Sequence, residues 1–331
     1  MGPLPVLLVA AVVVFGLVSS FNDGGNLVAS FVAARAFSLA GAAVVLLVGA
    51  AVGPWLVGAA VARTFAFAIV ALPRLGPGVC LAAVGGAVLT LLFSWWRGLP
   101  TSTSLALVGA LAGAGLVRAG PSAVNWMGVW AVLGGMVAAL VLGAAAGWAV
   151  WGAVRAALRH AGERADAALR GLQAATGLLQ GLGYGGNSME RTIGLLALAA
   201  AWDSPAGRSA LLAGRLPVPA WAVWLSLLLF GAGMALGGAR IARTLGFRLF
   251  PVRAADALSA QIAAGLTVVA AAAVGIPVSS TQTATAALIA AGAARRLSQP
   301  RWAIVREMAR AWAITLPLAL ALGGVLAVVA R

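Results

Sequence analysis

The sequence predicts an all-α polytopic membrane protein made of two inverted-topology repeats, each with a broken helix and a re-entrant helical hairpin. Three observations predict it: an apolar composition, polar clusters set inside apolar runs in two matching series, and an uneven distribution of arginine. Composition decides the class. Of 331 residues, 63% are hydrophobic and 9% charged, whereas a soluble domain is about half apolar and about a quarter charged. A soluble fold of this size would have too little polar surface to meet water. Soluble enzymes and nucleic-acid-binding modules are excluded, despite a formal net charge of +15. No enzymatic activity and no cofactor is expected, and the lipid bilayer is the principal surrounding. One cysteine, Cys80, and one histidine, His160, leave no disulfide and no Cys/His metal centre to build.

At about 20 residues per crossing, the chain has room for roughly ten to twelve membrane segments. Apolar runs cover roughly 4–34, 38–60, 76–117, 126–152, 172–202, 216–237, 255–294 and 311–330. Residues 1–20 read as the start of the first span, because no basic stretch precedes them. The first run contains Phe21-Asn22-Asp23-Gly24-Gly25-Asn26, and the third contains Gly98-Leu99-Pro100-Thr101-Ser102-Thr103-Ser104. The fifth contains Tyr184-Gly185-Gly186-Asn187-Ser188-Met189-Glu190-Arg191, and the seventh contains Gly275-Ile276-Pro277-Val278-Ser279-Ser280-Thr281. In hydrocarbon, an interrupted backbone survives only where protein or a wet cavity surrounds it. The order of features is the same in both halves, which indicates an internal duplication: 1–154, a linker at 155–170, and 171–331.

Arginine supplies the orientation, since all 22 basic residues are arginine. Clusters at 155–170, 240–253 and 295–310 mark cytoplasmic loops by the positive-inside rule, and the 155–170 linker, with His160 as a solvated residue, lies inside. Run 255–294 joins two basic loops, so a hairpin folded at its polar cluster has both ends inside. Run 76–117 joins two arginine-poor loops, and its hairpin enters from outside. The halves therefore have opposite orientations, in a multi-pass protein of the cytoplasmic membrane.

The hairpin tips offer Ser102, Thr103, Ser104, Ser279, Ser280 and Thr281, each just before a run that reads as helical. Hydroxyls and free backbone N–H groups at a helix start suit an oxyanion, and they also suit simple N-capping. Asp23 is the only acidic residue in the first 150 positions. A carboxylate at membrane depth is costly unless partnered. With Asn22, Asn26, Asn187 and Glu190 it forms a set of oxygen ligands for Na⁺, or a proton carrier. Arg97 and Arg191 stand outside the loop clusters and are the candidate bidentate donors to an anion. For Glu190 and Arg191 a mutual ion pair remains open, and for Arg97 so does snorkelling beside Trp95 and Trp96.

Together these motifs resemble the inorganic phosphate transporter (PiT) family, whose halves each carry a G-x-N-D-type signature and a G-x-P-V-S-T-[ST]-H-type hairpin. Phe21–Asn26 looks like the first signature, and Tyr184–Gly194 looks like the second, usually H-G-x-N-D-A-Q-K-T-M-G. The resemblance spans nearly the whole chain. It implies an alternating-access symporter of inorganic phosphate coupled to Na⁺ or H⁺, with a homodimer left open. Ser188 stands where the family has its second aspartate, and Leu105 and Gln282 stand where it has hairpin histidines. Those departures leave the number of coupling cations open. Sulfate, another tetrahedral oxyanion, is the alternative substrate, and a membrane protein that binds the anion without moving it is the alternative class.

Overall fold

A computed structural model describes residues 2–98, 101–159, 165–243 and 248–329. Leu99 and Pro100 of the first hairpin tip, and His160 with residues 161–164 of the linker, lie outside the described residues. The described chain is almost wholly helical. In order come α1 (Pro3–Ala33), α2 (Leu39–Val57), α3 (Ala60–Arg63) running into a π-helical turn at Thr64–Ala68, and α4 (Leu72–Leu75). Next are α5 (Pro77–Trp96), α6 (Thr103–Ala119), α7 (Trp126–Ala157) and α8 (Ala165–Gly183), the last continuing through a π-helical segment at Tyr184–Met189 into α9 (Glu190–Trp202). The chain ends with α10 (Pro205–Leu212), α11 (Ala220–Arg243), α12 (Ala254–Ala273), α13 (Ser280–Arg295) and α14 (Trp302–Val329).

Seven of these helices, α1, α2, α5, α7, α11, α12 and α14, are long and apolar enough to cross a membrane. The second arms of the hairpins are shorter, 17 residues for α6 and 16 for α13. Caps set the helix starts. The Ser38, Ser102, Asn125, Ser204 and Ser279 side chains each accept a backbone N–H of the first turn. Pro3 and Pro77 sit at first-turn positions, where the missing N–H costs nothing. Gly98 and Gly275 end the descending hairpin arms at φ of +69° and +71°, a conformation a Cβ would strain.

The expected broken helices need correction. α1 runs without interruption through Asn22-Asp23-Gly24-Gly25-Asn26. Polar side chains at depth do not require a broken backbone when their partners lie on neighbouring elements. Gly24 and Gly25 serve close packing instead, since a Cβ on Gly24 would lie 2.9 Å from the Met234 side chain of α11. In the second half the helix is widened, not broken: the six π-helical residues keep the hydrogen-bond ladder while inserting an extra residue.

The two halves interlock. α11 packs along α1, and α2 packs along α8; α14 packs on the hairpin α5–α6, and α7 packs on the hairpin α12–α13. Each half therefore lends its last long helix to the other half's hairpin. Glycines allow the close approach, as when a Cβ at Gly147 of α7 would lie 2.5 Å from the Ala287 carbonyl oxygen of α13.

Candidate functional site

The hairpin tips and the polar stretches of α1 and α9 meet in one buried centre. Asp23 is 2% exposed and Arg191 1% exposed, and they form an ion pair with Arg191 Nη2 at 2.8 Å from Asp23 Oδ2. Thr281 Oγ1 donates to Asp23 Oδ1 at 2.8 Å, and Thr103 Oγ1 reaches Oδ2 at 3.0 Å. One carboxylate is thus held by both hairpins and by α9. Arg191 Nη1 also donates to Ser104 Oγ, whose own hydroxyl donates to the Val278 carbonyl at 3.2 Å. Arg191 Nε is buried without a hydrogen-bond partner. A buried charge is tolerable only with its counter-charge and its hydrogen bonds, and this arrangement supplies both while keeping one donor in reserve.

The asparagines hold backbone. Asn22 accepts from Thr101 N at 3.1 Å and donates to the Thr101 carbonyl at 2.5 Å. Asn187 does the corresponding work on the second hairpin, accepting from Val278 N at 3.3 Å and donating to the Ile276 carbonyl at 3.2 Å. These amides replace the strand-like partners that the extended tips lack. Asn26 donates to the Thr281 carbonyl at 3.2 Å and to Thr285 Oγ1 at 2.9 Å. Asn26 thus crosses to the second hairpin as Arg191 crosses to the first.

The remaining sequence candidates divide. Ser102 and Ser279 cap α6 and α13, accepting from Leu105 N at 3.1 Å and Gln282 N at 3.3 Å. Ser280 pairs with Ser188 at 2.6 Å, so the residue in the place of a second aspartate bonds the hairpin as Asp23 bonds Thr103. Glu190 does not pair with Arg191: its Oε2 accepts from Ala62 N at 3.0 Å in the first turn of α3. Arg97 is not part of the buried centre. It is exposed at the end of α5 and lines a separate groove of about 250 Å³ with Glu307 and Arg310. Sequence reasoning missed Thr315, whose hydroxyl bonds that of Thr101 at the base of the same groove. It also missed Thr285. The only signal for Thr315 was a lone hydroxyl in an apolar helix, and for Thr285 its place one turn after Thr281 in the same helix.

The described residues thus define a multi-pass helical membrane protein with a buried, ion-paired polar centre between two hairpin tips. The chain belongs to the phosphate transporter family, whose model matches residues 19–165 and 154–323. It is 31% identical over 325 residues to a probable low-affinity inorganic phosphate transporter of Rhizobium meliloti (strain 1021), covering 96% of this chain and 93% of that one. A protein of the same description from Bacillus subtilis (strain 168) is 26% identical over 325 residues, covering 97% and 96%. Sodium-dependent phosphate transporter 1-A of Danio rerio is 31% identical over 153 residues, 44% of this chain and 22% of its own. The fold is that of a solved sodium-dependent phosphate transporter, with a TM-score of 0.85, 18% identity and 99% of both chains covered. The family is one of transporters, not enzymes, and the chain is a multi-pass protein of the cytoplasmic membrane.

Proposed function

We propose that this protein is a secondary active symporter of inorganic phosphate that couples the anion to Na⁺ or H⁺ by alternating access. The observation that carries the reading is the Asp23–Arg191 pair, enclosed by hydroxyls of both hairpins. A phosphate entering the centre takes Arg191 as its partner, through the free Nε and the nitrogens now on Ser104 and Asp23. Ser104, Thr103, Ser280 and Thr281 add neutral donors, as do the hydroxyls of Ser102 and Ser279. Asp23 then loses its counter-charge and needs a cation. Freeing either charge alone costs about 3–5 kcal/mol, so anion and cation bind together. Coupling also answers the inside-negative potential, which opposes anion uptake by about 2.3 kcal/mol per charge per 100 mV. Asp23 is the primary cation residue in this reading, with Asn26 beside it. Asn22 and Asn187 hold the hairpins that complete the site, and Glu190 braces α3.

The inverted repeat, 1–154 and 171–331, draws support from corresponding bonds: Asn22 and Asn187 on hairpin backbone, Thr103–Asp23 and Ser280–Ser188, and the two cross-half reaches of Asn26 and Arg191. Arg240, in a basic cytoplasmic cluster, donates to the Trp96 carbonyl near the first tip at 2.5 Å, whereas Thr64 in an arginine-poor segment donates to Gly275 of the second at 3.0 Å. Those contacts fit tips facing opposite sides. The test is radiolabelled phosphate uptake into proteoliposomes with imposed Na⁺ or pH gradients. Saturable, gradient-driven uptake is expected. Specific binding without flux would sink the carrier reading, and sulfate uptake resistant to excess phosphate would change the substrate.

A further inference from the structure

The groove between α5 and α14, beside the first hairpin tip, belongs to no part of the buried centre. Its rim carries three exposed charges: Arg97 just past α5, and Glu307 and Arg310 in the first three turns of α14. Among the described residues, neither guanidinium lies within ion-pair distance of the Glu307 carboxylate. Phe93, Ile314 and Leu318 wall the groove, and the buried Ser94 and Thr315 hydroxyls lie deepest. Glu307, Arg310, Ile314 and Leu318 follow one another along one face of α14, so charge at one end grades into hydrocarbon at the other. Phe93 is 49% exposed and Ile314 56%. Phe93 belongs to an exposed apolar stripe on α5 with Leu89 and Trp96, so the groove opens sideways to lipid and not to water. Its level is set by arginine. Arg310 closes the basic 295–310 segment, and Arg240 of a second basic segment donates to the Trp96 carbonyl next to Arg97. The positive-inside rule puts both on the cytoplasmic side.

The second half supplies an internal control. Matching Gly98 with Gly275 also matches Ser94, Arg97 and Thr101 with Ala271, Val274 and Val278. Gly323 and Gly147 occupy like places, since a Cβ on each would meet the carbonyl oxygens of Ala110 and Ala287. Matching them matches Glu307, Arg310 and Thr315 with Ala131, Gly134 and Ala139. Ala139, Ala271, Val274 and Val278 line a groove of about 510 Å³ between α7 and α12 that has no charged side chain in its lining. Packing a long helix on a hairpin arm therefore requires neither the rim charges nor the hydroxyls. The bias of arginine toward the cytoplasmic side accounts for Arg97 and Arg310, but not for Glu307.

We propose that this groove binds a phospholipid of the cytoplasmic leaflet whose headgroup joins a phosphate to a primary ammonium, as in phosphatidylethanolamine. Arg97 and Arg310 take the phosphate, which suits the planar donor fork of arginine. Glu307, an acceptor, takes the ammonium. Basic recesses between helices on this side of a membrane are natural headgroup sites. The groove, about 250 Å³, holds the headgroup, and the acyl chains lie along Phe93, Ile314 and Leu318. A lipid without an ammonium has nothing to offer Glu307, and free phosphate gains nothing from the apolar walls. The proposal rests on the orientation argued above and not on coupling at Asp23.

The test is native mass spectrometry of the purified full chain in detergent, offered phosphatidylethanolamine, phosphatidylcholine and phosphatidylglycerol with matched acyl chains. Phosphatidylethanolamine is expected to be retained about tenfold better than either of the others. Phosphatidylcholine keeps the phosphate but has no N–H to donate, and phosphatidylglycerol has no ammonium. Glu307→Gln is expected to abolish the preference, and Arg97→Gln/Arg310→Gln to weaken retention of all three lipids about tenfold. Arg306→Gln changes an exposed arginine of the same basic segment outside the groove lining, and should leave retention unaltered. Retention of phosphatidylcholine or phosphatidylglycerol equal to that of phosphatidylethanolamine would overturn the proposal, as would a preference that survives Glu307→Gln. The same loss in Arg306→Gln would overturn it by showing attraction to a basic surface at large. Displacement of the lipid by inorganic phosphate would give the groove to the free anion and overturn it too. Absence of phosphate uptake beside an intact Glu307-dependent preference would sink the carrier reading and keep the lipid site.

Discussion

Replacing Asp23 by asparagine keeps the size of the side chain and removes its charge. Asp23 accepts from Arg191 and Thr281 at 2.8 Å each and from Thr103 at 3.0 and 3.3 Å. An asparagine offers one acceptor oxygen to these donors and turns an N–H₂ group toward the rest. Arg191, 1% exposed, is left with no counter-charge. Removing one member of a buried pair costs about 3–5 kcal/mol, a factor of roughly 10² to 10⁴ in the folding equilibrium. Thermal unfolding in detergent reads that loss, and phosphate uptake in proteoliposomes is expected to fall to background. The double variant Asp23→Asn/Arg191→Met removes both charges and is expected to recover most of the stability without recovering uptake. Wild-type stability and uptake in Asp23→Asn would refute the pair as the centre of coupling. Uptake in the double variant would refute the assignment of Arg191 to the anion.

Three further outcomes are expected. Glu190→Gln keeps an acceptor for Ala62 N at the start of α3. Stability should fall by about 1 kcal/mol or less, with the Na⁺ dependence of uptake unaltered; a changed Na⁺ dependence would return Glu190 to the cation site. Gly49→Ala should destabilise by about 1–3 kcal/mol, because its methyl would meet the Leu178 carbonyl and lie 2.9 Å from Leu182 N, whereas nothing lies within 4 Å of a Cβ at Gly134 and Gly134→Ala should be neutral in the same unfolding assay. Ser188→Asp places a carboxylate beside Ser280 at the position matching Asp23. Its stability should depend on Na⁺ more steeply than that of the wild type, and an equal loss in Na⁺ and choline would show that no cation answers the new charge.

The sequence made the membrane class and the paired hairpins legible because both are composition and spacing, which local chemistry encodes. It also singled out Asp23 and Arg191, since a charge at membrane depth is conspicuous in a chain this apolar. Their mutual pairing was not legible, because they lie 168 residues apart and only the interlock of the halves brings them together. Asn22 and Asn187 read as oxygen ligands because side-chain type alone cannot tell a backbone clamp from a cation ligand. The break expected in α1 failed for a related reason: Gly24-Gly25 signals flexibility in isolation, and close approach to α11 in context.

The exchange of last helices between halves bears on how the chain is made. α14 covers α5 and α6, yet it begins at Trp302, about 200 residues after α5 ends. During synthesis the first hairpin must wait in the membrane with its glycine-lined face, Gly109 and Gly113, exposed to lipid or to transient partners until the final helix is inserted. Native closure is then among the last events of biogenesis, as expected where contacts are distant in sequence. A chain truncated before Trp302 should accordingly leave the first hairpin open to membrane quality-control proteases, although α12 and α13 would already be covered by α7.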